Sequence, residues 1–184
     1  MSTRQSDTYF LYVRHGESEA NAAKIVGTPF AKLTENGIAQ ARKTGEELRE
    51  EGATYIVCSP FIRAQQTAEI IAGELGIELR HIALMHELHE RRMGAAEGQP
   101  KVNETEWFYG PTDVEGMEGQ QELIDRSHVA LAKIKQLSQT GKVIVVGHAV
   151  SGFYLIQAAK GVTRPEELED FHQMPNADYI RVEV

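Results

Sequence analysis

The sequence predicts an α/β fold in which helices cover a mostly parallel sheet. Short apolar segments typical of strands recur along the chain, and segments with the period of a helix lie between them. Helices that alternate with strands form the crossovers that join parallel strands. The 184 residues, 41% of them hydrophobic, also suit one domain, and we find neither a repeat nor a change in composition that would mark a second. We therefore expect a single domain over residues 1–184.

The first elements follow from local residue patterns. Tyr9–Val13 is an apolar run with the β-branched and aromatic content of a strand. Thr34 can cap a helix that runs to about Arg49 and stops at Gly52, because threonine accepts a hydrogen bond from a free N–H group of the first turn. The apolar segment Thr54–Cys58 then predicts the next strand.

The second half of the chain repeats this alternation. Phe61–Leu75 carries apolar residues on one helical face, and Gly76 is suited to end that helix. The elements that follow are a candidate strand at Arg80–Leu84, a helix at about Gln120–Leu137, a strand at Val143–Gly147, a helix at Ser151–Ala159 closed by Gly161, and a strand at Tyr179–Val184.

Composition narrows the possible partners and the location. The net charge of −8 disfavours a broad nucleic-acid surface, since such binding neutralises phosphates with many Lys and Arg side chains. The single Cys58 excludes an internal disulfide. Residues 1–8 lack the apolar core of a signal peptide, and no run approaches the roughly 18 apolar residues that span a bilayer. We expect a cytoplasmic protein that binds neither nucleic acid nor membrane, as a monomer or homodimer.

Polar residues follow three of the predicted strands. Arg14 and His15 follow the first strand, Arg63 comes soon after the second, and His148 follows the fourth. The carboxyl ends of parallel strands face one crevice, where open α/β sheets usually bind ligands. An isolated Arg-His-Gly is equally compatible with a surface pair that caps a strand. Two arginines and two histidines around one crevice instead favour a phosphate monoester, because arginine matches its oxygens bidentately.

At these residues the chain resembles the histidine phosphatase superfamily, in its phosphoglycerate-mutase-like branch. The resemblance rests on LYVRHGESEAN at residues 11–21, on LTENG at 33–37, and on SPFIRA at 59–64. It implies a three-layer α/β/α fold with a mostly parallel central sheet. It also implies that His15 is phosphorylated and that Arg14, Asn21 and Arg63 bind phosphate.

The same resemblance locates a proton donor. The segment Glu87–Gly94 with Glu97-Gly98 is similar to the family's acid-bearing segment, and alignment on its glycine assigns the donor to Glu90. Glu87 and Glu97 remain alternatives. The implied reaction is metal-independent and needs no cofactor: neutral His15 attacks phosphorus, and Glu90 protonates the leaving oxygen.

The last motif departs from the family pattern. The family usually has His-Gly where this chain has His148-Ala149, and a required positive φ would strain alanine at that position. We still assign His148 to the phosphate pocket. The expected substrate-binding residues are Arg14, Glu17, Asn21, Thr28, Arg63, His148 and Ala149.

The resemblance leaves hydrolysis, phosphomutase activity and phosphate binding without turnover as alternatives. Family mutases usually carry longer insertions before the last histidine and a C-terminal extension, so the short chain favours a phosphatase. The ligand is expected to be phosphate or a small phosphorylated molecule. Residues 99–119, which include Trp107, Phe108 and Tyr109, are interpreted either as a lid or rim or as a structural aromatic cluster.

Overall fold

The computed structural model describes residues 8–101 and 114–184 and confirms the α/β fold. Within these residues five strands form one sheet in the order β3-β2-β4-β1-β5. β1 to β4 run parallel, and β5 pairs with β1 in the antiparallel direction. The strands are β1 (Tyr9–Arg14), β2 (Tyr55–Cys58), β3 (Ile82–Leu84), β4 (Val143–Gly147) and β5 (Tyr179–Glu183).

Helices cover both faces of the sheet because the strand residues alternate between two cores. Phe10 and Tyr12 of β1 face one core, whereas Leu11 and Val13 face the other. The helices are α1 (Glu19–Ala22), α2 (Glu35–Glu47), α3 (Ile62–Leu75), α4 (Gln120–Ser138) and α5 (Ala149–Ala159). Residues of α3 complete the second core and α2 packs on α3, while α4 and α5 complete the first core. No helix in residues 8–101 or 114–184 is long and apolar enough to cross a membrane.

Two predicted boundaries are wrong. The candidate strand at Arg80–Leu84 begins only at Ile82, because Leu79–His81 forms a 3₁₀ turn. The last helix begins at Ala149 rather than Ser151, directly after β4, with His148 as its N-cap residue. This earlier start matters for the site, because it brings the first turn of α5 to the end of the central strand.

The register of the sheet brings three chemically important segments together. Arg14 pairs with Gly147 across β1 and β4, and Cys58 pairs with Val146 across β2 and β4. His15, Ser59 and His148 follow these strand ends directly. They therefore lie together at the carboxyl ends of the parallel strands, as the sequence predicts.

Candidate active site

His15 lies at the carboxyl end of β1 and is buried. Its Nδ1–H donates to the carbonyl oxygen of Gly16 at 2.7 Å, so Nε2 carries the lone pair. Nε2 accepts a hydrogen bond from Nε of Arg63 at 3.0 Å. Burial, followed by the positive charges of Arg63 and Arg14, lowers the pKa of His15 well below its usual value. The imidazole is therefore neutral near pH 7, which is the form that a nucleophile requires.

The loop after His15 is fixed by the start of α2 and by α3. The amide of Gly16 donates to Oγ1 of Thr67 at 3.1 Å, and the amide of Glu17 donates to Oε1 of Gln40 at 2.8 Å. A Cβ atom on Gly37 would lie 2.0 Å from the carbonyl oxygen of Glu17, which is closer than any real contact. Gly37 belongs to the LTENG segment, and Gln40 and Thr67 lie just after the LTENG and SPFIRA segments, so the loop is held by residues in or next to these motifs.

Arg63 lies in the first turn of α3, with its guanidinium turned into the site. Its Nη1 donates to the carbonyl oxygen of Thr28 at 2.8 Å. Burial lowers the pKa of Arg63 to about 10, so the side chain still carries its charge near pH 7. Thr28 supports Arg63 through its main chain and is not among the described residues that line the cavity.

His148 is fully buried beside His15, with the two ring centroids 5.0 Å apart. Its Nε2 lies 2.7 Å from Oγ of Ser59, and that oxygen already accepts the amide hydrogen of Phe61 at 3.2 Å. Among the described residues, Nε2 is the one acceptor within reach of the Ser59 hydroxyl proton, so we assign the hydroxyl as the donor to Nε2, which leaves the proton of His148 on Nδ1. Nδ1 makes no hydrogen bond to any residue that the structure describes. The neutral ring thus keeps one N–H group without a partner among the described residues, and His148 itself borders a neighbouring cavity, with Tyr12 and Phe153, rather than the cavity that contains His15.

Ala149 fits this loop without strain. It is the first residue of α5 and has helical geometry, and the non-glycine residues with positive φ in the described chain are Lys24 and Ala177. The positive φ that would strain alanine is therefore not adopted at this position. Alanine suits the first turn of a helix, and Ala149 lines the cavity; its role in binding substrate stays a prediction.

Glu90 lies across the cavity at the N-terminus of α5. Its Oε1 accepts amide hydrogens from Arg91 and Ser151, both at 2.9 Å, and its Oε2 accepts one from Val150 at 3.2 Å. Of the three candidate acids, Glu90 lines the cavity, whereas Glu87 pairs with Lys133 at 2.7 Å and Glu97 accepts the amide of Met93 at 3.4 Å.

The amide of Asn21 is oriented by three donors. Its Oδ1 accepts hydrogen bonds from the amide of Ser18 at 3.1 Å, from the Ser18 hydroxyl at 3.0 Å, and from Nδ2 of Asn176 at 3.3 Å. The oxygen is fully engaged on this side, so the Nδ2 donor group of Asn21 is left for an anion. Asn21 lines the cavity, and its role in binding phosphate stays a prediction.

Asn176 and its neighbours were not predicted from the sequence. Nδ2 of Asn176 donates to the carbonyl oxygen of His15 at 3.0 Å, and the amide of Ala177 donates to the same oxygen at 3.2 Å. Nη1 of Arg14 donates to the carbonyl oxygen of Met174. We call residues 174–178 the clamp segment. The one feature of the sequence that could have indicated the clamp segment is its position just before β5, a strand that could pair with β1.

The site opens into a cavity of about 110 Å³, which we call the main cavity because His15, Arg63 and Glu90 line it. Glu17 does not line it but borders a second, more polar cavity, where its carboxylate accepts a hydrogen bond from Thr34 at 2.7 Å. The polar lining of the main cavity consists of Arg14, His15, Ser18, Asn21, Arg63, Glu90, Lys101 and Gln173.

Part of the segment predicted as a lid or rim borders this site. Pro100 bridges to Ile25 and Met117 bridges to Met93, both in antiparallel pairs. Trp107, Phe108 and Tyr109 lie outside the described residues, so both interpretations of the aromatic segment stay predictions. In the described part of the chain, no three or more His, Cys, Asp or Glu side chains are grouped to hold a metal ion.

Comparisons with known proteins agree with this geometry. The chain is 32% identical over 158 residues to the probable phosphoglycerate mutase GpmB of Salmonella paratyphi C (strain RKS4594), covering 82% of this chain and 74% of the relative. A mycobacterial glucosyl-3-phosphoglycerate phosphatase superimposes with a TM-score of 0.81 at 20% identity, over 95% of this chain and 90% of that one. Entamoeba histolytica phosphoserine phosphatase superimposes with a TM-score of 0.73 at 24% identity, over 94% and 89% of the two chains.

The two structural likenesses concern the fold, while the sequence comparisons establish kinship. The profile of the histidine phosphatase superfamily, branch 1, matches residues 10–184. That range includes every residue of the site described above. The chain therefore belongs to branch 1 of the histidine phosphatase superfamily.

Proposed function

We propose that this protein hydrolyses phosphate monoesters through a phosphohistidine formed on Nε2 of His15. The observation that carries the proposal is the neutral His15 ring, whose Nδ1–H is held by Gly16 while Nε2 accepts a hydrogen bond from Arg63, with Arg14 near enough for its charge to lower the pKa of the ring. A phosphate monoester brings about 1.5 to 2 negative charges, which Arg14 and Arg63 would offset.

The proposed reaction has two displacements at phosphorus. Nε2 of His15 forms a bond to phosphorus while the bond to the ester oxygen breaks, and Glu90 gives that oxygen its proton. Water then attacks the phosphohistidine and passes a proton back to Glu90 as the P–N bond breaks, which releases inorganic phosphate. When the substrate binds, the Nε–H group of Arg63 must give up its hydrogen bond to Nε2 of His15 and donate to a phosphate oxygen instead.

The remaining side chains stabilise the transferring group. The transition state is loose, and its charge is spread over the equatorial oxygens. Arg14, Arg63, the amide of Asn21 and Nδ1–H of His148 would donate to these oxygens, and preorganised donors of this kind supply much of the rate acceleration. The mechanism we propose is metal-independent, and we further propose that the protein acts in the cytoplasm as a monomer or homodimer.

Hydrolysis of p-nitrophenyl phosphate in excess EDTA tests the proposal. The native protein should release p-nitrophenol under chelation, and His15→Ala should abolish the release because the covalent route is lost. His172→Ala removes an exposed histidine and serves as the control. Turnover that EDTA abolishes, or that survives in His15→Ala, would contradict the mechanism.

Glu90→Gln tests the assignment of the acid. General acid catalysis contributes about 100- to 10,000-fold, and it matters for alkyl esters far more than for p-nitrophenyl phosphate, whose leaving group needs no proton. The variant should therefore lose alkyl phosphatase activity selectively, as measured by kcat/KM on both substrates. Glu87→Gln, which disrupts the surface pair with Lys133, is the control. Equal losses on the two substrates would show that Glu90 is not the proton donor.

A phosphomutase is the second candidate, because the curated relative cited above is named a probable phosphoglycerate mutase. A mutase would convert 3-phosphoglycerate to its 2-phospho isomer without releasing phosphate. Following both products by ³¹P NMR separates the two activities. Phosphate binding with neither product would instead indicate a binding module.

A further inference from the structure

The main cavity combines one polar end with two apolar walls. If the proposed function holds, the transferring phosphoryl group occupies the polar end beside His15, Arg14 and Arg63. The rest of the substrate must then lie against the remaining lining. Its chemistry can be inferred from what those residues offer.

The first wall is formed by Ile25, Val26 and Met93. Val26 and Met93 are buried in a small apolar cluster and line the cavity. Three main-chain groups behind this wall already have partners. The amide of Val26 donates to the carbonyl oxygen of Gln99 at 2.8 Å, and the carbonyl oxygen of Val26 accepts from the amide of Gly98 at 2.9 Å. The amide of Ile25 donates to the carbonyl oxygen of Ala20 at 3.0 Å. This wall offers a ligand apolar surface and no hydrogen bond from these groups.

The second wall is formed by Val150 and Phe171. The amide of Val150 is used by Glu90, and the Phe171 ring packs edge-on against Phe153 with centroids 5.4 Å apart. Both side chains belong to the apolar cluster around Leu123 and Tyr154. Phe171 is thus held in place as a flat apolar surface.

Few polar side chains remain for the part of the substrate beyond phosphorus. The Ser18 hydroxyl is engaged with Asn21 in both directions, since it donates to Oδ1 and accepts the amide hydrogen. Lys101 and Gln173 line both this cavity and the second one, as Arg14 and Asn21 do, and the charge of Lys101 acts on His15, so these two side chains belong with the polar end rather than with the two walls. A hydroxyl group placed between the two walls would lose its water partners without replacement.

We propose that the substrate is a phosphate monoester of a predominantly apolar alcohol or phenol, selected by Val26, Met93, Val150 and Phe171. This inference rests on the proposed function, because it assumes that the phosphoryl group occupies the polar end. It separates this chain from enzymes that act on hydroxylated or carboxylated esters such as phosphoglycerate or phosphoserine. For those substrates the described walls offer neither hydrogen bonds nor charge.

Alkylphosphonates test the inference, because they carry the phosphoryl charge without a bond that can be hydrolysed. Their inhibition constants against p-nitrophenyl phosphate hydrolysis should fall about fourfold for each added methylene group until the cavity is filled. Butylphosphonate should bind at least about tenfold more tightly than 3,4-dihydroxybutylphosphonate or 3-carboxypropylphosphonate. Equal or tighter binding of either polar analogue would overturn the proposal.

Matched variants locate the selectivity. Val26→Thr and Val150→Thr replace one methyl group by a hydroxyl on each wall, and each should reduce the preference for butylphosphonate over its dihydroxy analogue about fivefold to tenfold. Val129→Thr makes the same change on the exposed face of α4 and should leave the preference unaltered. An unaltered preference in both wall variants would show that these walls do not contact the substrate.

Calorimetric titration with the same phosphonates measures the preference without turnover. An apolar preference in a protein that does not hydrolyse p-nitrophenyl phosphate would contradict the proposed function and leave the selectivity in place. Hydrolysis that depends on His15 together with a preference for polar analogues would contradict the selectivity alone.

Discussion

Ser59 determines what His148 can do in the site. Its hydroxyl accepts from Phe61 and donates to Nε2, so the imidazole presents Nδ1–H rather than a lone pair. Because the pKa of His148 is lowered by burial and by the charge of Arg63, this donor exists without a positive charge on the ring. In the mechanism proposed above, donation from His148 to phosphate would therefore depend on a serine that itself need not touch the substrate.

Ser59→Ala should leave His148 with a mixture of tautomers. We expect kcat to fall roughly tenfold to a hundredfold, since one buried hydrogen bond is worth about 1–3 kcal/mol when a partner is removed, while KM changes less. Long-range ¹H–¹⁵N NMR of the histidine rings reads the tautomer directly. Ser59→Thr keeps the hydroxyl and should restore both the Nδ1–H signal and kcat. A ring that stays protonated at Nδ1 in Ser59→Ala would disprove this role.

Individual site residues were predictable where one local motif contains them. Arg14, His15 and Arg63 follow strand ends with residue types that already indicate phosphate chemistry, and Asn21 was assigned through the family resemblance of residues 11–21. Asn176 has no such signal, because it acts on Asn21 from 155 positions away and only the fold joins them. Hydrogen bonds between distant side chains have no period along the chain, so sequence patterns do not reveal them.

At the scale of elements, the start of α2 supports the loop that follows His15. The helix begins at its Thr34 cap, and Gly37 in its first turn lets the backbone reach the carbonyl of Glu17. Glycine is a poor residue for a helix, by about 1 kcal/mol relative to alanine. Its presence here is explained by close packing rather than by helix stability.

Gly37→Ala should therefore destabilise the protein, although alanine is the better helix former. A Cβ 2.0 Å from a backbone oxygen forces the loop and the helix apart, and overpacking of this kind costs about 1–3 kcal/mol. The same change at Gly73 in α3, where a Cβ meets nothing within 4 Å, should stabilise by about 0.5–1 kcal/mol. Urea denaturation measures both, and kcat/KM should fall only in Gly37→Ala. Equal stabilisation by both substitutions would show that Gly37 has no packing role.

The elements themselves were largely predictable, and the errors have local causes. β4 matches its prediction from Val143 to Gly147 because it is a central apolar run. β3 lies at the edge of the sheet and is only three residues long, so its pattern does not separate it from the preceding turn. The sequence predicts the start of α5 two residues too late because His148-Ala149-Val150 contains no usual N-cap residue. The His148 side chain forms its hydrogen bond with Ser59 and does not cap the helix.

For the whole molecule, the two buried histidines couple folding to pH. His15 and His148 both have a pKa well below 6.5, chiefly because burial disfavours their charged forms. Below pH 6.5 the unfolded chain therefore binds protons that the folded chain does not, and acid favours unfolding. The stabilisation is complete above that pH and is lost as the pH falls below it.

The unfolding free energy should fall by about 2–3 kcal/mol between pH 7.5 and 5.5, since each neutral histidine contributes about 1.4 kcal/mol per pH unit below its unfolded pKa. Urea titrations in phosphate-free buffer measure this slope. His148→Gln should roughly halve it, whereas His172→Gln removes an exposed ring and should not change it. A slope that is the same in native protein and His148→Gln would show that this ring is not held neutral.

The clamp segment also determines when the site forms. β1 is the first strand in the chain. Its neighbours in the sheet, β4 and β5, come more than a hundred positions later, and so do the residues of the clamp segment that bind Arg14 and His15. Contacts between such distant parts of a chain form slowly, and synthesis delivers the N-terminal partner long before the C-terminal one. A growing chain thus carries His15 before the groups that hold its main chain, and the candidate site is complete only after β5 has been synthesised and has paired with β1.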